Sequence, residues 1–128
     1  SFLVKHLRIN WTEGEKHFRN CLLDFNKANN VAQWQWVAGC GADAAPYFRI
    51  FNPILQGEKF DKEGIYVKKW VPELNKVPAK FIHKPWEMEI KYQEAIKTII
   101  GKDYPQPLVI HEKARAAALD AFQSLKKK

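Results

Sequence analysis

Apolar positions recur at helical spacing along most of the chain and alternate nowhere over a convincing length. Ser1–Leu7 carries apolar residues at 3, 4 and 7 with no capping residue before it, so it reads as the tail of a helix that begins upstream. Thr12-Glu13-Gly14-Glu15 has the form of a capping box and predicts a helix from Thr12 to Leu23. Phe18, Cys21 and Leu22 then share one face, and Glu13, Lys16 and Arg19 face solvent. Asp24 or Asn26 can cap a second helix over Lys27–Ala38, closed by Gly39, Gly41 and Pro46. From Asp43 to Phe60 the prolines and Gly57 break any period. The stretch is too aromatic to be left in water, which predicts an ordered loop.

Asp61–Val71 reads as a short amphipathic helix closed by Pro72, and Pro72–Pro85 as irregular with a turn at Glu73–Asn75. Trp86–Ile100 is helical in composition and stops at Gly101, and Tyr104–Pro107 is extended. Glu112–Leu125 is the clearest helix, with Ala116, Leu119, Ala121 and Phe122 among good helix formers, ahead of a basic tail at Lys126–Lys128. The fold class is therefore all-α with long ordered loops.

Composition narrows the classes. A chain of 128 residues with 46% hydrophobic and 27% charged residues is one globular domain or a piece of a larger one. No apolar run is long enough to span a membrane and no signal peptide fits. Cys21 and Cys40 form neither a disulfide framework nor a zinc pattern, so a reducing, cytoplasmic setting is expected. His6, His17, His83 and His111 are scattered, and no metal site is expected. Phosphate-loop, dinucleotide and HExxH motifs are missing. The net charge of +7 suits a polyanionic partner or simply solubility.

Five tryptophans are more than a core of this size needs. Asn26, Asn30 and Trp34 stand at i, i+4 and i+8, a single stripe that is polar at one end and aromatic at the other. Asparagine is a poor helix former, and such a run inside a helix needs a reason. A flat heteroaromatic ligand with hydrogen-bonding edges would supply one. Trp36 lies roughly 200° around the helix from Trp34, so the two indoles cannot line one wall. The competing reading makes both indoles core. Ala44–Pro53 and Gln56–Asp61 interleave aromatics with Arg49 and Lys59, as a nucleic-acid platform does and as a packed loop with solvated cations also would.

Trp34–Gly39, Gly41–Pro53 and Gln56–Asp61 closely resemble the C-terminal half of the flavin domain of the DNA photolyase/cryptochrome family. Trp70–Leu74, Ile82–Trp86 and Tyr104–Pro107 continue the resemblance, which runs from Ser1 to about Ala121. Within the family the chain looks most like the class I cyclobutane pyrimidine dimer photolyases. The resemblance implies an all-helical domain that binds FAD in a U shape. It also implies blue-light-driven electron transfer from reduced flavin to a pyrimidine dimer flipped out of DNA. Residues 1–128 would be the C-terminal part of that domain, without its upstream helices or the N-terminal antenna domain, whose chromophore the sequence leaves open. A monomer that works on DNA without membrane or metal is expected.

By the same resemblance, Asp24, Asn26 and Asn30 match flavin-binding positions. The Arg partner of Asp24 falls upstream of Ser1, Asn26 stands where the family usually carries Asp, and Asn30 faces flavin N5. Trp34 and Trp11 match the proximal and middle tryptophans of the photoreduction chain, whose third member falls upstream. Trp36 matches the indole that packs on the lesion. Arg49 matches a DNA-phosphate contact, with Gln56 and Lys59 as weaker candidates for the same task. Trp70 and Trp86 are expected in the core. Plant-type cryptochromes tend to carry Asp and animal ones Cys at the position of Asn30, and both tend to lose the indole of Trp36. A signalling cryptochrome and a flavin-free basic DNA-binding module are the alternatives. The chain by itself is expected to hold little FAD and to lack repair activity.

Overall fold

A computed structural model describes residues 1–41 and 49–126; the Ala42–Phe48 part of the recognisable motif and the end of the basic tail lie outside them. Among the described residues there are six α-helices, a π-helical turn at Phe2–His6, two 3-10 turns and no strand, beyond one isolated bridge between Ile100 and Tyr104. The chain divides into two compact units, Ser1–Phe51 with Val109–Lys128, and Asn52–Leu108.

In the first unit, α1 (Trp11–Cys21) starts at Asn10, whose side chain accepts hydrogen bonds from the Thr12 amide and hydroxyl, both at 3.0 Å. Thr12 is therefore the second residue of the helix and not its cap. Glu15 is not a capping glutamate but one of the two buried residues of α1, with Gly14. The face expected to be apolar is exposed at Phe18, Cys21 and Leu22. α2 (Lys27–Ala38) keeps its expected bounds. Asn26 caps it by accepting the Asn29 amide at 3.1 Å, and Gly39 closes it at φ 76°, a left-handed conformation that glycine adopts without steric cost. α1 and α2 pack on each other because Gly14 has no side chain. A Cβ there would collide with the indole of Trp34. α6 (His111–Lys126) packs on the π-helical turn, burying Ala114 and Ala118 rather than Ala116 and Ala121. His6 and His111 share a 2.8 Å hydrogen bond between these two elements.

In the second unit, the stretch expected to be a loop ends in a helix, α3 (Pro53–Phe60). Asn52 caps it, accepting the amides of Ile54 at 3.0 Å and Leu55 at 3.3 Å, and Pro53 occupies the first turn, where its missing N–H costs nothing. α4 is shorter than expected, Ile65–Trp70, because Asp61 stays outside it and accepts the amides of Tyr66 and Val67, each at 3.1 Å. The expected turn after Pro72 is a 3-10 turn, Pro72–Leu74. The expected helix over Trp86–Ile100 shrinks to a 3-10 turn at Pro85–Glu87 and α5 (Ile90–Ala95), with Lys97 at φ 56° after it. Leu74, Val77, Ile82, Met88 and Ile100 form the buried core of this unit. Gln93 ties its edges, donating to the Met88 carbonyl at 2.7 Å and accepting the Ile100 amide at 2.9 Å. Trp86 packs against this core as expected. Trp70 does not: it is 63% exposed at the end of α4, 6.4 Å from the Tyr66 ring and with the Lys69 ammonium 5.0 Å from its own.

Candidate functional site

The Asn26–Asn30–Trp34 stripe lines a cavity of about 410 Å³ in the first unit, together with Asp24, Asn29, Gln33, Val37, Phe18, Leu22 and Ser1. That volume lies in the range of about 300–1,000 Å³ typical of small-molecule and cofactor sites. Its walls carry the two kinds of group a flavin ring system needs. One is an apolar surface, where the Phe18 ring meets Trp34 edge-on at 5.1 Å between centroids and 73°. The other is a row of amides with one carboxylate, Asp24. The donor set fits a flat ring system with carbonyl and N–H edges.

Asn30 is the buried member of the row. Its Nδ2 donates to the Glu15 carbonyl at 3.0 Å and to Glu15 Oε1 at 3.3 Å. Glu15 is itself fixed by Arg19, whose Nη2 lies 2.5 Å from Oε2. The Arg19 hydrogen bond, assisted by its charge and by Asn30, holds the Glu15 carboxyl below the usual carboxylate range against the opposing effect of burial. The chain Arg19–Glu15–Asn30 therefore locks the amide: its N–H end is committed to Glu15, and its carbonyl oxygen is left to accept. Asn26 is oriented the other way. Its oxygen caps α2, so its NH₂ remains to donate. Asn and Asp cap equally well, so either residue at this position would preserve the helix start.

Glu15, which anchors Asn30 beside the cavity, is the residue that sequence reasoning missed. The signal was present: Glu15 and Arg19 are at i, i+4, but the capping-box pattern assigned Glu15 to the helix end.

Trp11 is half-buried at the first position of α1 and lines a different cavity of about 460 Å³, with Arg8, Ala38, Ala118 and Phe122 among its walls. Trp11 and Gly14 share a face at i, i+3, and Trp34 lies on Gly14. The two residues thus meet α1 one turn apart in sequence, while their indoles line different cavities. Trp36 does not line the cavity of Trp34 and is 44% exposed, as the angular argument requires.

Arg49 is exposed, with its guanidinium carbon 4.4 Å from the centre of the Phe51 ring. Gln56 and Lys59 belong to α3 in the other unit. Gln56 is half-buried and Lys59 exposed, its ammonium 5.1 Å from the Phe60 ring. The first unit therefore brings Asp24, Asn26, Asn30 and Trp34 to one cavity, and leaves Trp11, Trp36 and Arg49 outside it. Among the described residues no group of three or more His, Cys, Asp or Glu is placed to hold a metal, and no helix is long and apolar enough to cross a membrane.

Residues 1–124 match the family model described as the FAD binding domain of DNA photolyase. A deoxyribodipyrimidine photo-lyase of Agrobacterium fabrum is 57% identical over 127 residues, which are 99% of this chain and 26% of that protein. The crystal structure of a bacterial class III photolyase from Agrobacterium tumefaciens superposes with a TM-score of 0.91 at 56% identity, over 99% of this chain and 26% of that one. A Synechocystis cryptochrome superposes with a TM-score of 0.86 at 36% identity, over 93% of this chain and 24% of that one. The chain spans about a quarter of the length of the curated relatives it matches. The expectation of class I stands beside a 56%-identical relative described as class III.

Proposed function

The chain belongs to the family of DNA photolyase FAD-binding domains, and on that premise we propose that it builds one wall of the flavin site of an enzyme that splits cyclobutane pyrimidine dimers with light. It is read as the C-terminal part of that domain, in a monomeric cytoplasmic enzyme whose partner is dimer-containing DNA. The observation that carries the reading is the shared cavity of Asp24, Asn26, Asn30 and Trp34. A reduced flavin bound there would supply, on excitation, the electron that opens the cyclobutane ring.

The chain's own residues do the rest. The Asn30 oxygen accepts from the N–H that a reduced flavin carries at N5 and an oxidised one lacks. The Glu15 anchor keeps that oxygen from rotating away. The Asn26 NH₂ donates to a flavin carbonyl, and Asp24 accepts from a ring N–H or pairs with a cation. Trp34, on the cavity wall, would be the immediate electron donor to an oxidised flavin, and Trp11, at the start of α1, would donate to Trp34 in turn. Trp36, on another face of α2, stacks on the extruded dimer. Arg49 neutralises a DNA phosphate, with Gln56 and Lys59 assigned to the same backbone. Asn30 and Trp36 together favour repair over cryptochrome signalling.

The test exchanges this chain for the matching quarter of the Agrobacterium fabrum enzyme and follows dimer loss under blue light. Flavin-loaded protein is expected to restore thymine absorbance. In Trp34→Phe, light-driven reduction of the flavin is expected to fail, while repair after chemical reduction persists. Loss of repair even after chemical reduction would make Trp34 structural and remove it from the electron path. A flavin-loaded hybrid that leaves dimers intact would refute the repair reading.

A further inference from the structure

We propose that Lys5 is a positioning residue for Arg49, fixing the backbone from which the guanidinium is offered to a DNA phosphate. The inference rests on the reading of Arg49 as a phosphate contact. Lys5 lies in the π-helical turn Phe2–His6 and is only 8% exposed, so its ammonium is not available to a phosphodiester itself. Its Nζ instead donates to the backbone carbonyl of Arg49, 44 residues along the chain. An ammonium withdrawn from water needs strong acceptors to remain charged, and burial lowers the Lys5 pKa from its ordinary value. So long a tether, held by a group that is costly to bury, points to a segment that must not drift.

Arg49–Phe51 is that segment. It has no helical or strand pairing of its own to fix it. Lys5 holds it through the main chain of Arg49, and the Phe51 ring lies 4.4 Å from the guanidinium carbon. Backbone and side chain of Arg49 are thus constrained separately, with the side chain exposed to solvent. A cation presented this way loses less freedom on meeting a phosphate than one on a loose loop, which is the general advantage of preorganisation.

The experiment uses this chain with a fluorescent duplex, and compares Lys5→Met, Lys5→Arg and Arg49→Ala with each Lys5 variant combined with Arg49→Ala. Two quantities are read: duplex affinity as a function of salt, and hydrogen exchange at the Ile50 amide, which belongs to the peptide group whose carbonyl Lys5 holds. Lys5→Met is expected to speed Ile50 exchange and to weaken duplex binding by about tenfold, the usual effect of losing one charge-assisted hydrogen bond. Lys5→Arg keeps a donor and is expected to recover most of both. In the Arg49→Ala background Lys5→Met should cost nothing further. Unchanged Ile50 exchange in Lys5→Met, or an equal loss of affinity with and without Arg49, would overturn the proposal. Should Lys5→Met not fold, Lys5→Arg decides. Any affinity change it causes must vanish in the Arg49→Ala background, and one that persists overturns the proposal. If Arg49→Ala alone leaves affinity and salt slope unchanged while Ile50 still responds to Lys5→Met, the phosphate reading has failed. The DNA role of Lys5 then falls with it, and the two failures are told apart.

Discussion

Asn30 is the residue on which the site turns, and its worth comes from being unable to rotate. Both of its donor bonds go to Glu15, one to the main chain and one to the carboxylate. Asn30→Asp keeps the shape and removes those donors, placing a second acceptor against Glu15 in a buried position. Leaving buried acceptors face to face should cost about 1–3 kcal/mol. Urea unfolding at neutral pH measures it, and the loss should shrink in acid as the new carboxyl takes up a proton. A loss that stays the same at both pH values would mean that repulsion is not its source. Glu15 makes a complementary prediction. Its folded-state pKa is depressed, chiefly by Arg19, so the folded chain favours the carboxylate. The stabilisation is full above the ordinary Glu value of about 4.3 and fades as pH falls below it. Glu15→Gln should therefore lower stability at neutral pH and flatten its decline in acid, as thermal melts between neutral and strongly acidic pH would show. At this scale the sequence was most legible where spacing alone decides. The Asn26–Asn30–Trp34 stripe follows from i, i+4 periodicity and does line one cavity. Glu15 stayed hidden because a capping-box pattern cannot tell a glutamate that reaches back to the helix start from one that points across to another helix.

Helix ends and close approaches explain where elements were legible. α2 is legible over its full length, Lys27–Ala38, because Asn26 and Gly39 are local signals that the structure uses as such. α3 was missed although Asn52-Pro53 is a strong start signal. The surrounding prolines and aromatics masked the short run that follows. α5 was overextended, since composition favours helix through Trp86–Ile100 whereas Gln93 binds the main chain at Met88 and Ile100 and pulls both ends out of it. Trp70 was misplaced for a related reason. A large indole beside prolines looks like an anchor, and only the structure shows it on the outer face of α4. Gly14 is the element-scale feature with the sharpest consequence. In an exposed helix interior Gly→Ala would gain about 1 kcal/mol from propensity. Here the new Cβ meets the Trp34 ring, and overpacking of that kind costs about 1–3 kcal/mol. Gly14→Ala is expected to destabilise the chain or leave it no more stable, and to shift Trp34 fluorescence as the indole moves off α1. A clear gain in stability with an unchanged emission spectrum would show that Trp34 does not rest on Gly14.

For the whole molecule the decisive quantity is how much of a flavin these residues can cover. Well-formed cofactor sites bury about 70–90% of a ligand's surface. The cavity here holds about 410 Å³ and takes all its walls from residues 1, 18, 22, 24, 26, 29, 30, 33, 34 and 37. FAD adds a ribityl chain, a pyrophosphate and an adenosine to its ring system, and those walls present no cationic side chain to the pyrophosphate. Micromolar affinity needs about 8 kcal/mol of net binding free energy, after the cost of immobilising a flexible ligand. One apolar wall and a row of amides supply only part of that. This chain alone is therefore expected to retain little FAD, and to bind it hundreds of times more weakly than a hybrid in which the Agrobacterium fabrum relative provides the other three quarters of the protein. Equilibrium dialysis against FAD, read by flavin absorbance, measures both. Stoichiometric flavin in the purified chain would show that the α1–α2 wall suffices. A hybrid that folds but binds no better than the chain alone would show that the amide row does not face the flavin.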